Sequence, residues 1–280
     1  MCDSTHCAKL NNYPKGPKRN RASARALLLA LTLFCVVPLT FAQTGTLRIA
    51  AAADLEPVLP PILATFQQQT GIHAEASYQS SATLATEIVN GAPFDLFLAA
   101  DTSFPQRVID AGRAEESSPI PYARGTLVLW TRNDSGLRTL SLDALRSPAI
   151  HTIAIANPQH APYGRAAQAT LDHLHLLETL LAKLVIAENI AQAAQYADSA
   201  NAQVGFISLT SALTPRLQHD GHFVRVPADD YPPLIQGAIV VRNAPNAAAA
   251  HRFLDFLRRP ATAHTLAAAG LAAPNSAPVD

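Results

Sequence analysis

The sequence predicts an α/β fold with two lobes and mixed, mostly parallel sheets. Short apolar runs alternate with helical patterns along the chain, which is typical of parallel strands joined by helices. Two segments, 117–124 and 227–233, interrupt this alternation, so we expect the chain to cross twice between two α/β units. The expected domains are lobe 1, residues 43–122 plus 232–280, and lobe 2, residues 123–231.

Nine apolar runs have the length and composition of buried strands. They lie near 47–51, 74–78, 95–99, 126–130, 152–156, 184–187, 204–207, 223–226 and 238–242. Helical patterns fall between them, at 83–90, 164–177, 190–199, 247–258 and 261–269. The helix at 83–90 ends at Gly91, a residue suited to a helix C-terminus.

The first helix is the exception to this regular scheme. Its pattern covers 55–69, but Pro57, Pro60 and Pro61 lie within it. Proline removes a backbone donor and is tolerated only in the first turn of a helix. The sequence therefore predicts a distorted or delayed first helix.

Residues 1–42 have the pattern of an export signal. Five basic residues between Lys15 and Arg25 precede the apolar run 26–40, and small residues at Thr40 and Ala42 fit a signal peptidase site. We expect cleavage near Ala42 and an exported mature protein. No later apolar run reaches the roughly 18 residues that a membrane span needs.

Composition excludes several classes of function for the mature chain. All three cysteines, Cys2, Cys7 and Cys35, precede residue 43, so disulfides and thiolate metal sites are excluded. The remaining residues carry 15 Lys and Arg against 20 Asp and Glu, a net charge of −5, with Lys183 as the one lysine. Nucleic acids and anionic membranes require basic patches, so no nucleic-acid partner is expected.

Four loops between a strand and a helix share one character. Loops 50–56, 78–84, 157–165 and 187–193 place small, hydroxyl-bearing or turn-forming residues at a helix start. None contains lysine, and Arg165 only follows the last turn of its loop. Helix N-termini present N–H donors and a partial positive charge, which suffices to bind an anion without cationic side chains.

Six motifs in these loops and strands resemble one family. They are AAAADL, SYQSSATLATEIVNGAPFDLFLAAD, YARGTLVLW, IAIANPQHAPYGRAA, ENIAQAAQY and VGFISL. In this order they resemble the periplasmic molybdate-binding proteins of ABC transporters, over essentially the whole mature chain. The resemblance implies the Venus-flytrap fold of periplasmic binding proteins, type II, with a hinged cleft for molybdate or tungstate. It also implies an ABC transporter permease as partner, no cofactor, and a monomer.

The resemblance also implies the ligand-binding residues. Ala53 and Asp54 follow the first strand, and Ser81 contributes its hydroxyl and its backbone N–H. Tyr163 and Ile190 contribute from the other lobe, Ile190 by its backbone alone because its side chain is apolar. Ser208 stands where some members of the family use a tyrosine.

Three side chains leave alternatives open. Asp54 departs from the serine or asparagine of some relatives, and we expect it to point away from the anion and cap the following helix through the Glu56 N–H. Tyr163 can use its hydroxyl or only its N–H. Arg124 and Arg165 fit solvated or hinge-side ion pairs better than anion clamps.

Other functions fit the sequence less well. A receptor for another tetrahedral oxyanion such as sulfate has the same fold and the same types of residues. A hydrolase needs an activated nucleophile, and the chain has no G-x-S-x-G motif, so no catalysis is expected. The pairs His173 with His175 and His219 with His222 suggest metal ligands, but their spacing favours solvated positions.

Overall fold

The computed structural model describes residue 16, residues 45–137 and residues 139–276. The predicted export signal, residues 1–42, lies outside the described residues except for Gly16. Within the described part of the chain, no helix is both long enough and apolar enough to cross a membrane.

Two five-stranded sheets form the framework of the fold, and the strands are numbered in chain order. They are β1 (Leu47–Ala52), β2 (Ala74–Gln79), β3 (Leu96–Ala99), β4 (Ile120–Arg124), β5 (Leu127–Arg132), β6 (Ile153–Ala156), β7 (Leu184–Ala187), β8 (Val204–Ser208), β9 (Gly221–Arg225) and β10 (Ile235–Val240). The first sheet has the order β2-β1-β3-β10-β4, and the second has the order β7-β6-β8-β5-β9. We call each sheet with its helices a lobe.

The helices alternate with these strands, as the sequence predicts. They are α1 (Leu59–Thr70), α2 (Ser81–Val89), α3 (Ser103–Asp110), α4 (Pro162–His173), α5 (Leu177–Leu180), α6 (Ile190–Asp198), α7 (Leu209–Ala212), α8 (Pro215–Asp220), α9 (Ala247–Leu257) and α10 (Pro260–Ala268). Short 3₁₀ turns cover Ala53–Leu55, Asp143–Arg146, Leu181–Lys183 and Ala228–Asp230.

The two sheets repeat one arrangement of strands. In the first lobe β1 pairs in parallel with both β2 and β3, and in the second lobe β6 pairs in parallel with both β7 and β8. Antiparallel strands complete each sheet: β10 and β4 in the first, β5 and β9 in the second. Ligands of open α/β sheets bind at the carboxyl ends of parallel strands, so a ligand site is expected at these ends in each lobe.

Apolar packing fixes the helices on both faces of the first sheet. Phe66 of α1 packs edge-on against Phe253 of α9 with ring centroids 5.0 Å apart, and Phe256 lies 5.3 Å from Phe66. On the opposite face Leu84 and Ile88 of α2 are buried in a second apolar cluster. Burial on both faces explains why the central strands are continuous apolar runs instead of alternating ones.

The structure confirms most predicted elements, among them the delayed first helix: a 3₁₀ turn follows β1 and α1 begins only at Leu59, which places Pro60 and Pro61 in its first turn. Helices α3, α7 and α8 were not predicted. The segment 117–124 is not only a connection, because Ile120–Arg124 forms the edge strand β4 of the first sheet. Pro119, Pro121 and Arg124 interrupt the apolar pattern of this segment, so the sequence did not indicate a strand there.

Candidate functional site

A small cavity lies where the carboxyl ends of the parallel strands from both lobes meet. Its lining comes from the loops after β1, β2, β3, β6 and β7. The lining residues are Ala52, Ala53, Asp54, Gln79, Ser80, Ser81, Ala100, Ala161, Pro162, Tyr163, Asn189 and Ile190. The structure thus brings together all five residues that the sequence nominates, Ala53, Asp54, Ser81, Tyr163 and Ile190.

Ser81 presents a hydroxyl proton to this cavity. Its side chain is buried, and its Oγ accepts a hydrogen bond from the Ala100 N–H over 3.1 Å. An acceptor role leaves the O–H proton free to donate. The preceding Ser80 is used differently, because its Oγ caps α2 by accepting the Thr83 N–H over 3.2 Å.

Four backbone N–H groups around the cavity are available as donors. Those of Ser81, Tyr163 and Ile190 stand in the first turns of α2, α4 and α6, where an N–H has no acceptor within its own helix. The N–H of Ala53 begins the 3₁₀ turn after β1. None of the four donates to another backbone group of the described residues. The arrangement is a set of neutral donors drawn from both lobes.

Glycines allow α4 to approach the cavity closely. A Cβ on Gly164 would overlap the carbonyl oxygen of Ala156, so the start of α4 packs directly against the end of β6. A Cβ on Gly125 would overlap the hydroxyl of Tyr163, so this glycine makes room for the Tyr163 side chain. The tyrosine ring is buried, and its first-turn N–H remains beside the cavity.

Asp54 joins the two lobes through its side chain. Its carboxylate Oδ2 accepts a hydrogen bond from the Tyr163 hydroxyl over 3.2 Å and another from the Gln236 side-chain amide. Oδ1 has no hydrogen-bond partner among the described residues, although the residue is fully buried. Since the Tyr163 hydroxyl is bound to Asp54, Tyr163 keeps only its N–H for a ligand.

The expected capping role of Asp54 is wrong. The Glu56 N–H donates to the carbonyl oxygen of Ala53 over 3.2 Å, and the 3₁₀ turn has no side-chain cap. A backbone acceptor in the tight turn takes the N–H that a capping carboxylate needs. The carboxylate instead accepts from Gln236 within its own lobe and from Tyr163 across the lobe boundary.

Burial has the largest effect on the pKa of the Asp54 carboxyl. It raises the pKa of Asp54 to about 6, and the hydrogen bonds from Gln236 and Tyr163 offset only part of this effect. Burial also holds the pKa of Tyr163 and of Tyr122 well above the usual value, and the nearby Asp54 carboxylate adds to this. Both phenols are therefore neutral at physiological pH.

Cationic side chains lie outside the cavity. Arg165, on the first turns of α4, forms an ion pair with Asp101 in the loop after β3, and its guanidinium lies 4.9 Å from the ring centroid of Phe104. Arg124 donates from Nη1 to the carbonyl oxygen of Ser276 over 2.7 Å. The ion pair of Arg165 agrees with the sequence-based expectation, but it bridges the two lobes.

Two contacts between the lobes involve residues that sequence reasoning missed. Thr210 Oγ1 donates to the backbone carbonyl of Asp54 over 2.7 Å, and the Ala82 N–H donates to the His160 carbonyl over 3.1 Å. Within the first lobe, Gln236 of β10 is a further missed residue, whose side-chain amide donates to Asp54. Of these residues, only Gln236 could have been noticed in the sequence, because it is a polar residue within the apolar run of β10. The structure shows that its side chain is fully buried.

Ser208, which the resemblance places where some members of the family use a tyrosine, is hydrogen-bonded within its own lobe. Its Oγ accepts the Ser211 N–H over 3.2 Å and lies 2.8 Å from Thr210 Oγ1. The Thr210 proton goes to the Asp54 carbonyl, which can only accept. Ser208 therefore supports Thr210, and it is not among the residues that line the cavity.

The histidines singled out in the sequence lie apart from the cavity. The His173 side chain is 60% exposed and stands 3.5 Å from Asp230, while that of His219 is 88% exposed beside Asp220. His222 is hydrogen-bonded to Asn133. In the part of the chain that the structure describes, no group of three or more His, Cys, Asp or Glu side chains is placed to hold a metal ion.

Comparison with known proteins supports the same reading of the fold. The molybdate-binding protein ModA of Rhodobacter capsulatus is 35% identical over 87% of this chain and 93% of its own length. ModA of Azotobacter vinelandii is 33% identical over 82% of this chain and 90% of its own length. The solved periplasmic molybdate-binding protein of Azotobacter vinelandii superposes with a TM-score of 0.77 at 32% identity, covering 82% of this chain and all of that one.

A family described as bacterial extracellular solute-binding protein matches residues 47–272. That range contains both sheets and every residue around the cavity. The chain belongs to this family of bacterial extracellular solute-binding proteins.

Proposed function

We propose that this protein captures molybdate or tungstate in the cavity between its lobes and delivers it to an ABC importer. The observation that carries the proposal is the convergence of the Ala53, Ser81, Tyr163 and Ile190 N–H groups with the Ser81 hydroxyl on one small cavity. The lining contains no lysine or arginine. Such a set of donors suits a dehydrated anion and no cation or neutral metabolite.

Closure of the two lobes is part of the proposal. Each lobe supplies donors: Ala53 and Ser81 from the first, Tyr163 and Ile190 from the second. Full coordination therefore requires both lobes together, and contacts such as that of Thr210 with Asp54 hold them together. We propose lobe boundaries close to the expected 43–122 plus 232–280 and 123–231, with the first boundary at the end of β4, Arg124, because β4 belongs to the first sheet, and hinges between β4 and β5 and in 227–233.

Selectivity follows from the fixed positions of the donors. A cage of N–H and O–H groups fitted to a larger tetrahedral oxyanion leaves sulfate with longer, weaker hydrogen bonds. The relatives named for molybdate support this choice of ligand. We also propose that the export signal is cleaved near Ala42, and that the protein acts in the periplasm as a monomer with an ABC transporter permease as its partner.

The test is a ligand panel on the mature protein, residues 43–280. We expect molybdate and tungstate to raise the melting temperature by mass action, and equal concentrations of sulfate and phosphate to leave it unchanged. Isothermal titration calorimetry of each anion then gives affinities and stoichiometry. A larger melting-temperature shift with sulfate than with molybdate would indicate a sulfate receptor instead. No shift with any oxyanion would refute the proposal.

A hydrolase remains the alternative of a different class. Turnover of ester or phosphoester substrates by the mature protein would support it, and we expect none. The Ser81 Oγ accepts from a backbone N–H and makes no hydrogen bond with a histidine side chain among the described residues, so the usual activation of a serine nucleophile is missing at this position.

A further inference from the structure

We propose that one proton is held between Asp54 Oδ1 and the captured oxyanion, so that anion binding takes up a proton from solution. The inference rests on the proposed function, because it concerns the same cavity. It gives Asp54 a role that neither a serine nor an asparagine at this position has, since only a carboxyl group can gain a proton here.

The geometry singles out one oxygen of the Asp54 carboxylate. Oδ2 already accepts from the Tyr163 hydroxyl and from the Gln236 amide. Oδ1 has no partner in the described residues, yet the side chain is fully buried and the residue lines the cavity. A buried polar atom without a partner is unfavourable, and a proton shared with an oxyanion satisfies it.

The side chains that face Asp54 carry no positive charge, so its ionised form is unfavourable once an anion is bound. The groups that face it are the neutral Gln236 amide of β10, the Tyr163 phenol at the start of α4 and the Tyr122 phenol of β4. From α7, Thr210 reaches only the Asp54 backbone. No cation is among the groups that set its ionisation. A carboxylate and a dianion repel each other strongly in such a site, and a proton converts this repulsion into a hydrogen bond.

The ionisation behaviour of the site agrees with this placement. Burial raises the pKa of Asp54 to about 6 even before the charge of an anion is considered, and a nearby dianion raises it further. The phenols of Tyr122 and Tyr163 ionise only far above neutral pH, so they do not contribute to the proton uptake.

The direction of the pH dependence follows from linkage. In the anion-free protein the pKa of the Asp54 carboxyl is about 6, and a bound dianion raises it above that value. Between these two values binding takes up a proton, so the affinity for the anion falls by up to about tenfold for each unit that the pH rises. Below the lower value the affinity no longer depends on this group.

Titration calorimetry in buffers of different ionisation enthalpy measures proton uptake directly. We would titrate the mature protein with sodium molybdate at pH 7 in PIPES and in Tris. The wild-type protein is expected to take up more than about half a proton per molybdate. Asp54→Asn is expected to take up none, and its affinity no longer falls with pH. The matched control is Glu56→Gln, an exposed carboxylate two residues away, which retains the uptake.

Each outcome decides between the two proposals. Molybdate binding by the wild type without proton uptake, or uptake that persists in Asp54→Asn, overturns this inference and leaves the proposed function standing. If the wild type does not bind molybdate, both fail. Should Asp54→Asn not fold, the wild-type affinity between pH 6 and pH 9 decides: a fall supports the shared proton, and a constant value overturns it.

Discussion

The hydroxyl of Ser81 accepts the Ala100 N–H over 3.1 Å, across the gap between the loops after β2 and β3. This bond restrains the rotamer of Ser81 and uses one lone pair of its oxygen, so the O–H proton stays available to donate into the cavity. Ser81 thus illustrates how the lobe arranges uncharged donors before any ligand arrives.

Ser81→Ala should weaken molybdate binding by roughly 10- to 100-fold, since a hydrogen bond to a charged group contributes about 1.5–3 kcal/mol. Calorimetric titration measures the change. The control is Thr214→Ala, which removes a hydroxyl that caps α8 away from the cavity. It should lower stability by about 1 kcal/mol and leave the affinity unaltered. Equal molybdate affinities for Ser81→Ala and the wild type would show that the Ser81 hydroxyl does not contribute to binding.

Gly164→Ala should damage both stability and binding. The added methyl group overlaps the Ala156 carbonyl and must push the start of α4 away from β6, which costs roughly 1–3 kcal/mol and displaces the Tyr163 N–H. We expect more than a tenfold loss of affinity.

Gly71→Ala is the control for that change. Gly71 ends α1 with a φ of +73° and open space around it, so alanine there costs about 1 kcal/mol of backbone strain without touching the cavity. Urea denaturation and calorimetry should separate the two variants. If Gly164→Ala binds like Gly71→Ala, the close approach of α4 is not needed for binding.

Arg165→Ala should reduce the affinity by less than about tenfold. The ion pair of Arg165 with Asp101 bridges the lobes, but the arginine side chain is 40% exposed, and such pairs contribute at most about 1 kcal/mol. The loss should appear as faster dissociation, and Asp101→Asn should show the same loss without additivity in the double variant. A loss above about 100-fold would mean that Arg165 grips the anion.

Asp54→Asn should stabilise the anion-free closed protein at pH 8. A carboxyl whose folded pKa is raised from 3.8 to about 6 reduces stability as the pH rises through that window, and the full penalty is present above pH 6. The gain on substitution is therefore at most about 3 kcal/mol at pH 8 and disappears near pH 4. Melting temperatures of both proteins at the two pH values measure this difference. An equal effect at both pH values would contradict the assignment of the raised pKa.

The parts of the fold that depend on local pattern were predictable from the sequence. Apolar runs with small residues at their carboxyl ends located the strands and the donor loops, and Asn189, which caps α6 through its side chain, marks the start of that helix clearly. Ile190 could be nominated only as a backbone donor, and the structure places it in the first turn of α6.

The parts that depend on long-range packing were not predictable. Asp54 and Gln236 are 182 residues apart in sequence, and no local pattern pairs a turn after β1 with a buried amide on β10. The expected cap, in which the Asp54 carboxylate accepts the Glu56 N–H, agrees with local sequence rules. In the folded protein the carboxylate accepts from the distant donors Tyr163 and Gln236 instead. The pairing of Arg165 with Asp101 likewise required knowledge of how the two lobes face each other.

A crystal structure of the mature protein with molybdate tests the central claim most directly, namely that neutral donors from both lobes hold the anion. We predict hydrogen bonds to the oxyanion from the N–H groups of Ala53, Ser81, Tyr163 and Ile190, from the Ser81 hydroxyl and from Asp54 Oδ1. No arginine or lysine should lie within hydrogen-bond distance. An anion held by Arg165 or Arg124, or bound outside the cavity, would contradict the account.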